Sequence, residues 1–166
     1  MNADRSEFFM QEAFTQAKNA MQHNEIPVGA VVVLNDNIIG EGFNQCIDKL
    51  NPTAHAEIIA IHAASKKIKN YRLVDCDLFV TLEPCLMCLG AIFHARIRNV
   101  YYAASDPKTG VCGGLVDLTL NQSLNHHCNF HKGLLGEKSK DLLQDFFQTK
   151  RIKKTAHKFV RFFLKL

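Results

Sequence analysis

The segment Leu78–Ala103, LFVTLEPCLMCLGAIFHARIRNVYYA, decides how the chain is read. Leu78–Leu82 is apolar and β-rich and reads as a buried strand. Pro84 then opens a helix, expected over about Cys85–Ala95, because proline at a helix start gives up an N–H that has no helical partner. Val100–Ala103 reads as a further strand. Strand, helix and strand in succession belong to an α/β fold, in which a sheet is covered by helices.

The same alternation holds on both sides of this segment. Residues 6–23 repeat apolar character at helical spacing (Phe9, Ala13, Ala17, Ala20, Met21), with Ser6 or Asp4 as the expected cap. Val28–Leu34 and Ile38–Gly42 are short apolar runs on either side of Asn35-Asp36-Asn37, which is hairpin chemistry. Asn51-Pro52-Thr53 precedes a helix expected over about Ala54–Lys67, with Thr53 as its cap. Residues 115–136 give no clear periodicity. From Leu142 onward the pattern is helical again. The residues alone therefore predict a single α/β domain spanning 1–166, ending in a basic helix over about 140–164.

Composition narrows the class of protein. The 166 residues are 47% apolar and 22% charged, the balance of a globular domain. No run approaches membrane-spanning length, and the first residues lack a signal-peptide apolar stretch, so a cytoplasmic protein with no membrane partner is expected. The net charge is +4, yet residues 150–166 hold seven basic residues and no acid, which leaves the rest at −3. A basic segment on a slightly acidic body points to a polyanionic partner.

Six cysteines without a secretory context read as reduced thiols. Cys46, Cys76, Cys112 and Cys128 are scattered and read as buried, inert side chains. Cys85 and Cys88 differ. Two cysteines three apart at a helix start can face one point, and the positive end of the helix favours thiolate there. His55, at the start of another helix, supplies a third ligand of the kind zinc accepts. Three ligands instead of four leave one position for water, the pattern of catalytic zinc. Glu57, two residues after His55, is placed to act as the base. A lone Cys-x-x-Cys could equally be a redox pair or half of a structural zinc site, and a lone His-x-Glu is common on surface helices. Only the two together are specific. His62 is read as packing or surface, and His94 as a helix-end cation.

At these residues the chain resembles a known family. His55-Ala56-Glu57 followed by Pro84-Cys85-Leu86-Met87-Cys88 is the signature of zinc nucleobase deaminases. Further segments resemble the bacterial tRNA-specific adenosine deaminases: Ile26–Ala30, Gly40–Asn44, Asn51–Glu57, Asn70–Leu73, Val80–Cys85, Asp106–Gly110, Asn125-His126 and Asp145–Phe147. The resemblance spans about residues 5–155. It implies a cytidine-deaminase-like α/β/α fold with a central five-stranded mixed sheet, and a homodimer with one Zn2+ per subunit. It implies conversion of adenosine to inosine at the wobble position of a tRNA anticodon, typically of an arginine tRNA. His55, Cys85 and Cys88 then hold zinc, and Glu57 moves protons from water to ring N1 and to the departing amine. Asn44 is expected to hydrogen-bond the extruded nucleotide, and Ile26 and Val28 to line its pocket. Asp106 and Lys108 are expected at loop backbone or ribose, His126 near a phosphate, and Phe147 and Arg151 at neighbouring nucleotides. For Phe147 a core position, and for Lys108 and Arg151 a solvated surface, are the competing readings.

Two other functions fit part of the pattern. A deaminase of guanine or deoxycytidylate would share the metal chemistry but has no use for the 106–110 loop or the basic helix. A zinc-stabilised RNA-binding module would have no use for Glu57. The ending Phe159–Leu166 is more apolar than a polar tail, and packing on the body is its first reading.

Overall fold

Along the chain run α1 (Ala3–Gln22), β1 (Gly29–Leu34), β2 (Asn37–Phe43), α2 (Ala56–Ile68), β3 (Asp77–Leu82), α3 (Leu86–Ala95), β4 (Asn99–Ala104), β5 (Asn129–Lys132) and α4 (Gly136–Phe163). The structure is a computed structural model that describes residues 2–163, with side chains through residue 152. The strands form one mixed sheet in the order β2-β1-β3-β4-β5. β1 is antiparallel to β2 and β3, whereas β3, β4 and β5 run parallel. This is the expected α/β/α architecture.

Each face of the sheet has its own core. Phe9, Met10 and Phe14 of α1 pack with Val31, Val33 and Phe79, and Leu142 of α4 joins them. On the other face Ala60 and Ala64 of α2 and Ile92 of α3 pack with Ala30, Val32, Leu78 and Val80. Alternate residues of β1 thus serve opposite cores. A strand buried on both faces reads as an unbroken apolar run, which is what Val28–Leu34 shows.

The helix that carries His55 and Glu57 sits unusually close to the sheet. A Cβ at Gly40 would lie 2.3 Å from the Ala60 carbonyl oxygen, and one at Gly42 would lie 2.4 Å from that of Ala56. Glycine is therefore required at both positions of β2, because the backbone of α2 fills the space a side chain would take. Their close approach fixes the depth at which the start of α2 rests on the sheet.

Several boundaries correct the expectations from sequence. α1 begins at Ala3, and its cap is Asn2, whose side chain accepts the Arg5 N–H at 2.9 Å. Ser6 lies buried inside the helix, with its hydroxyl donating to the Asn2 carbonyl. Asn35 and Asp36 both adopt positive φ, 49° and 58°, so the hairpin closes through a two-residue turn that suits these side chains. α2 begins at Ala56, and Thr53 does not cap it: its N–H and hydroxyl both donate to Asn51 Oδ1. β5 and the first turns of α4 carry no apolar periodicity, because Asn129–Lys132 is a four-residue edge strand and residues 136–141 are mostly polar.

All six cysteines are free. Among the described residues no helix is long and apolar enough to cross a membrane. Lys153, Lys154, Lys158, Arg161 and Lys165, and the apolar ending 159–166, lie outside the described side chains.

Candidate active site

The N-terminal ends of α2 and α3 meet at one point. His55 is the N-cap residue of α2 and Cys85 that of α3, both with extended backbone. Neither side chain caps its own helix, so both project away from it. Cys88 follows in the first turn of α3 and is buried. Its Sγ lies 3.5 Å from His55 Nδ1, and Cys85 Sγ lies 3.7 Å from the same nitrogen. One ligand atom from each of the three residues falls within 4.8 Å of the others.

The electrostatics suit a cation. The Cys88 thiol donates to Cys85 and holds the Cys85 thiol down to about 4, with His55 acting in the same direction. Cys88 itself is pushed well up by donating that bond and by burial. Its interaction with Cys85 raises the His55 imidazole above its ordinary value. The three groups thus shift one another's proton affinity, in a cluster that a dication can organise. One nitrogen and two sulfurs are the donor set of catalytic zinc, so the residues fit the metal.

Glu57 stands on the next residue but one from His55 and is 4% exposed. Burial pushes its carboxyl up to about 7. Its own backbone N–H, at the positive end of α2, partly opposes that shift. A carboxyl that changes protonation near neutrality can both take and return a proton.

The three-residue cluster opens into a cavity of about 230 Å³. His55, Glu57, Cys85, Ile26, Val28, Asn44 and Asp106 all line it, so most of the expected residues converge there. Ile26 and Asp106 also line a second hollow with Lys108 and Phe147. Lys108 and Phe147 border a third, together with Lys150 and Arg151 of α4. These shared walls make one path from the metal ligands to α4. Phe147 is 45% exposed, which removes the core reading. His126 is not brought to this path. Its Nε2 lies 2.8 Å from the Ile97 carbonyl oxygen and its ring packs edge-on to Phe93, between the end of α3 and the start of β4. His62 is exposed on α2 and is not one of the three clustered ligands.

Six residues that line the cavity were not among the expected site residues: Glu25, Cys46, Ile47, Leu82, Glu83 and Thr109. Cys46 and Ile47 enter it from the loop after β2. Glu25 is 2% exposed and accepts the N–H groups of Ile47 and Asp48 at 2.6 and 2.9 Å, which holds that loop. Glu83 is 3% exposed and accepts three N–H groups from the loop beyond β4. An acid flanked by apolar residues and proline, as in Glu25-Ile26-Pro27 and Leu82-Glu83-Pro84, is the only trace such anchors leave.

Residues 3–104 match the cytidine and deoxycytidylate deaminase zinc-binding region. The chain belongs to this deaminase family and is a zinc-binding enzyme of that class. Within the class it falls among the tRNA-specific adenosine deaminases. It is 46% identical to the tRNA-specific adenosine deaminase of Haemophilus influenzae, over 93% of this chain and 91% of the relative. A solved structure from a study of A-to-I editing by tRNA:A34 deaminases superposes with a TM-score of 0.79 at 39% identity, covering 82% of this chain and 99% of that one. The guanine deaminase of Bacillus subtilis superposes with a TM-score of 0.59 at 35% identity, covering 91% and 94%.

Proposed function

We propose that this enzyme hydrolytically deaminates adenosine to inosine at the wobble position of a tRNA anticodon, with His55, Cys85 and Cys88 holding one zinc per subunit. The observation that carries this reading is the continuous path from the cavity through Lys108 and Phe147 to Lys150 and Arg151. A free base needs only the cavity. An RNA loop needs a surface beside it that accepts neighbouring nucleotides and phosphates.

Zinc held by the two sulfurs and the imidazole supplies Lewis acidity that brings the pKa of water toward neutrality. Glu57 takes a proton from water and delivers it to adenine N1, which makes C6 electrophilic. The water oxygen bonds to C6, Glu57 takes the remaining proton from that new hydroxyl and gives it to the exocyclic nitrogen, the C6–N bond breaks, and ammonia departs to leave inosine. Ile26 and Val28 give the extruded base apolar walls, and Asn44 offers it hydrogen-bond donors. Asp106 shapes its own turn, accepting from Lys108 N–H at 2.9 Å and from the Thr109 hydroxyl at 2.7 Å, and so presents this loop to the ribose and backbone. An anticodon loop is already single-stranded, which lowers the cost of extrusion.

The same reading makes the chain one deaminase domain acting on an arginine tRNA in the cytoplasm, as a homodimer. Leu86, 63% exposed directly after a metal ligand, offers apolar surface for a second copy. Light scattering on the purified protein measures that assembly.

The likeness to guanine deaminase keeps one rival in view. Ammonia release from an anticodon stem-loop bearing wobble adenosine, from guanine and from deoxycytidylate separates the two. Turnover of the stem-loop alone supports the proposal, and turnover confined to a small molecule replaces it.

A further inference from the structure

Glu83 is a buried carboxylate between the metal-binding turn and a loop of the substrate path. Its Oε2 accepts the Asp106 N–H at 2.9 Å, and its Oε1 accepts those of Cys112 at 2.7 Å and Gly114 at 2.8 Å. The loop they belong to supplies Asp106 and Thr109 to the cavity and Lys108 to the adjoining hollow. Backbone hydrogen bonds tie the same loop to the ligand turn: Val111 N–H donates to the Pro84 carbonyl at 3.1 Å, and Cys85 bridges to Gly110.

The packing around this carboxylate tolerates no side chain. A Cβ at Gly110 would lie 2.5 Å from Glu83 Cδ, and one at Gly114 would lie 2.4 Å from Glu83 Oε2 and 2.3 Å from the Asp106 carbonyl oxygen. Both glycines let the loop backbone close directly on the acid. A carboxylate is also the one terminal group that accepts at both oxygens at once. An amide presents N–H2 at one of them, toward an N–H that has to donate.

We propose that Glu83 is a positioning residue for substrate recognition: its carboxylate fixes the 106–114 loop in the shape that meets the nucleotide, in register with the metal ligands. What the loop meets rests on the function proposed above. Both oxygens of Glu83 are committed to N–H groups of the loop, so it acts through the loop.

The test compares Glu83→Gln, Gly114→Ala and the double variant with the parent, all zinc-loaded. Single-amide hydrogen exchange is read without substrate, and steady-state kinetics are read on an anticodon stem-loop RNA. Glu83→Gln is expected to keep full zinc content. It exchanges the Asp106, Cys112 and Gly114 amides at least about tenfold faster, while β3 amides stay protected. Its KM for the RNA rises at least about tenfold, with kcat within about threefold. Gly114→Ala gives the same pattern, and the double variant adds little, because both changes open the same clamp. Unchanged exchange in the loop overturns the proposal. So does a loss confined to kcat, loss of zinc from Glu83→Gln, or full additivity of the two changes. If Glu83→Gln fails to fold, Gly114→Ala decides by the same readouts. Exchange needs no substrate, so it judges the clamp separately. The functional reading fails instead if the parent does not deaminate the RNA.

Discussion

Asn44 Oδ1 accepts the N–H of Ala56 at 2.9 Å. A residue that lines the cavity thereby caps the helix whose first residues carry the chemistry. With the side-chain oxygen committed to α2, the Asn44 amide N–H2 is what remains to face a base. The cap also comes from another segment of the chain, which ties the loop after β2 to His55 and Glu57.

This double use can be separated by two substitutions. Asn44→Ala removes cap and donors together, and is expected to cost about 1 kcal/mol, or about 3 °C in melting temperature, along with activity. Asn44→Asp keeps an acceptor for Ala56 but loses the donors. It is expected to melt within about 1 °C of the parent and still lose at least about tenfold in kcat/KM. Thermal melts and steady-state kinetics check the pair. Parent-like kinetics for Asn44→Asp would confine Asn44 to capping.

Glu57→Ala is expected to keep zinc and fold while single-turnover inosine formation falls by about a thousandfold, within the range for a lost general acid–base. A carboxyl at 4% exposure carries a burial cost, so its removal should leave melting temperature unchanged or higher. Metal analysis, a melt and a quenched time course measure this. Turnover within tenfold of the parent would take Glu57 out of the mechanism.

Chelation gives an independent check on the ligand set. The metal joins the starts of α2 and α3, so its removal is expected to abolish turnover and to lower the melting temperature by at least about 5 °C. Restoring Zn2+ recovers both. A melting temperature indifferent to chelation would argue against a metal held by His55, Cys85 and Cys88.

Beyond the cavity, Lys108 and Arg151 are expected to meet phosphates. Replacing both with alanine should flatten log Kd against log salt by about 0.7 for each phosphate no longer neutralised, measured on stem-loop RNA. Phe147→Ala should weaken RNA binding at every salt concentration, as loss of a stacking surface does. His126→Ala, whose ring faces Ile97 instead, should leave RNA affinity within twofold and lower stability. Parallel salt slopes would mean that Lys108 and Arg151 meet no phosphates.

The metal cluster was legible in the sequence because its chemistry lies in two short motifs at helix starts. The hairpin and the buried strand were legible too, since apolar runs and an Asn-Asp turn state them locally. What stayed hidden depends on distant segments. Nothing near Thr53 shows that Asn44 caps α2, and nothing near Glu83 shows that its acceptors are filled from residues 106–114. β5 carries only one partly buried residue, Phe130, so its pairing with β4 leaves no apolar pattern to read. His126 fits the resemblance as text, yet its ring is tied to a carbonyl at the far end of α3.

Whether the Glu57-bearing metal pocket converts a tRNA wobble adenosine to inosine is read directly from the RNA. Reverse transcription and sequencing of tRNA after incubation with the enzyme reads inosine as guanosine. An adenosine-to-guanosine change is expected at the first anticodon nucleotide alone, present with the parent and absent with Glu57→Ala. No change with zinc-loaded parent protein, or the same change with the variant, would refute that role for the pocket.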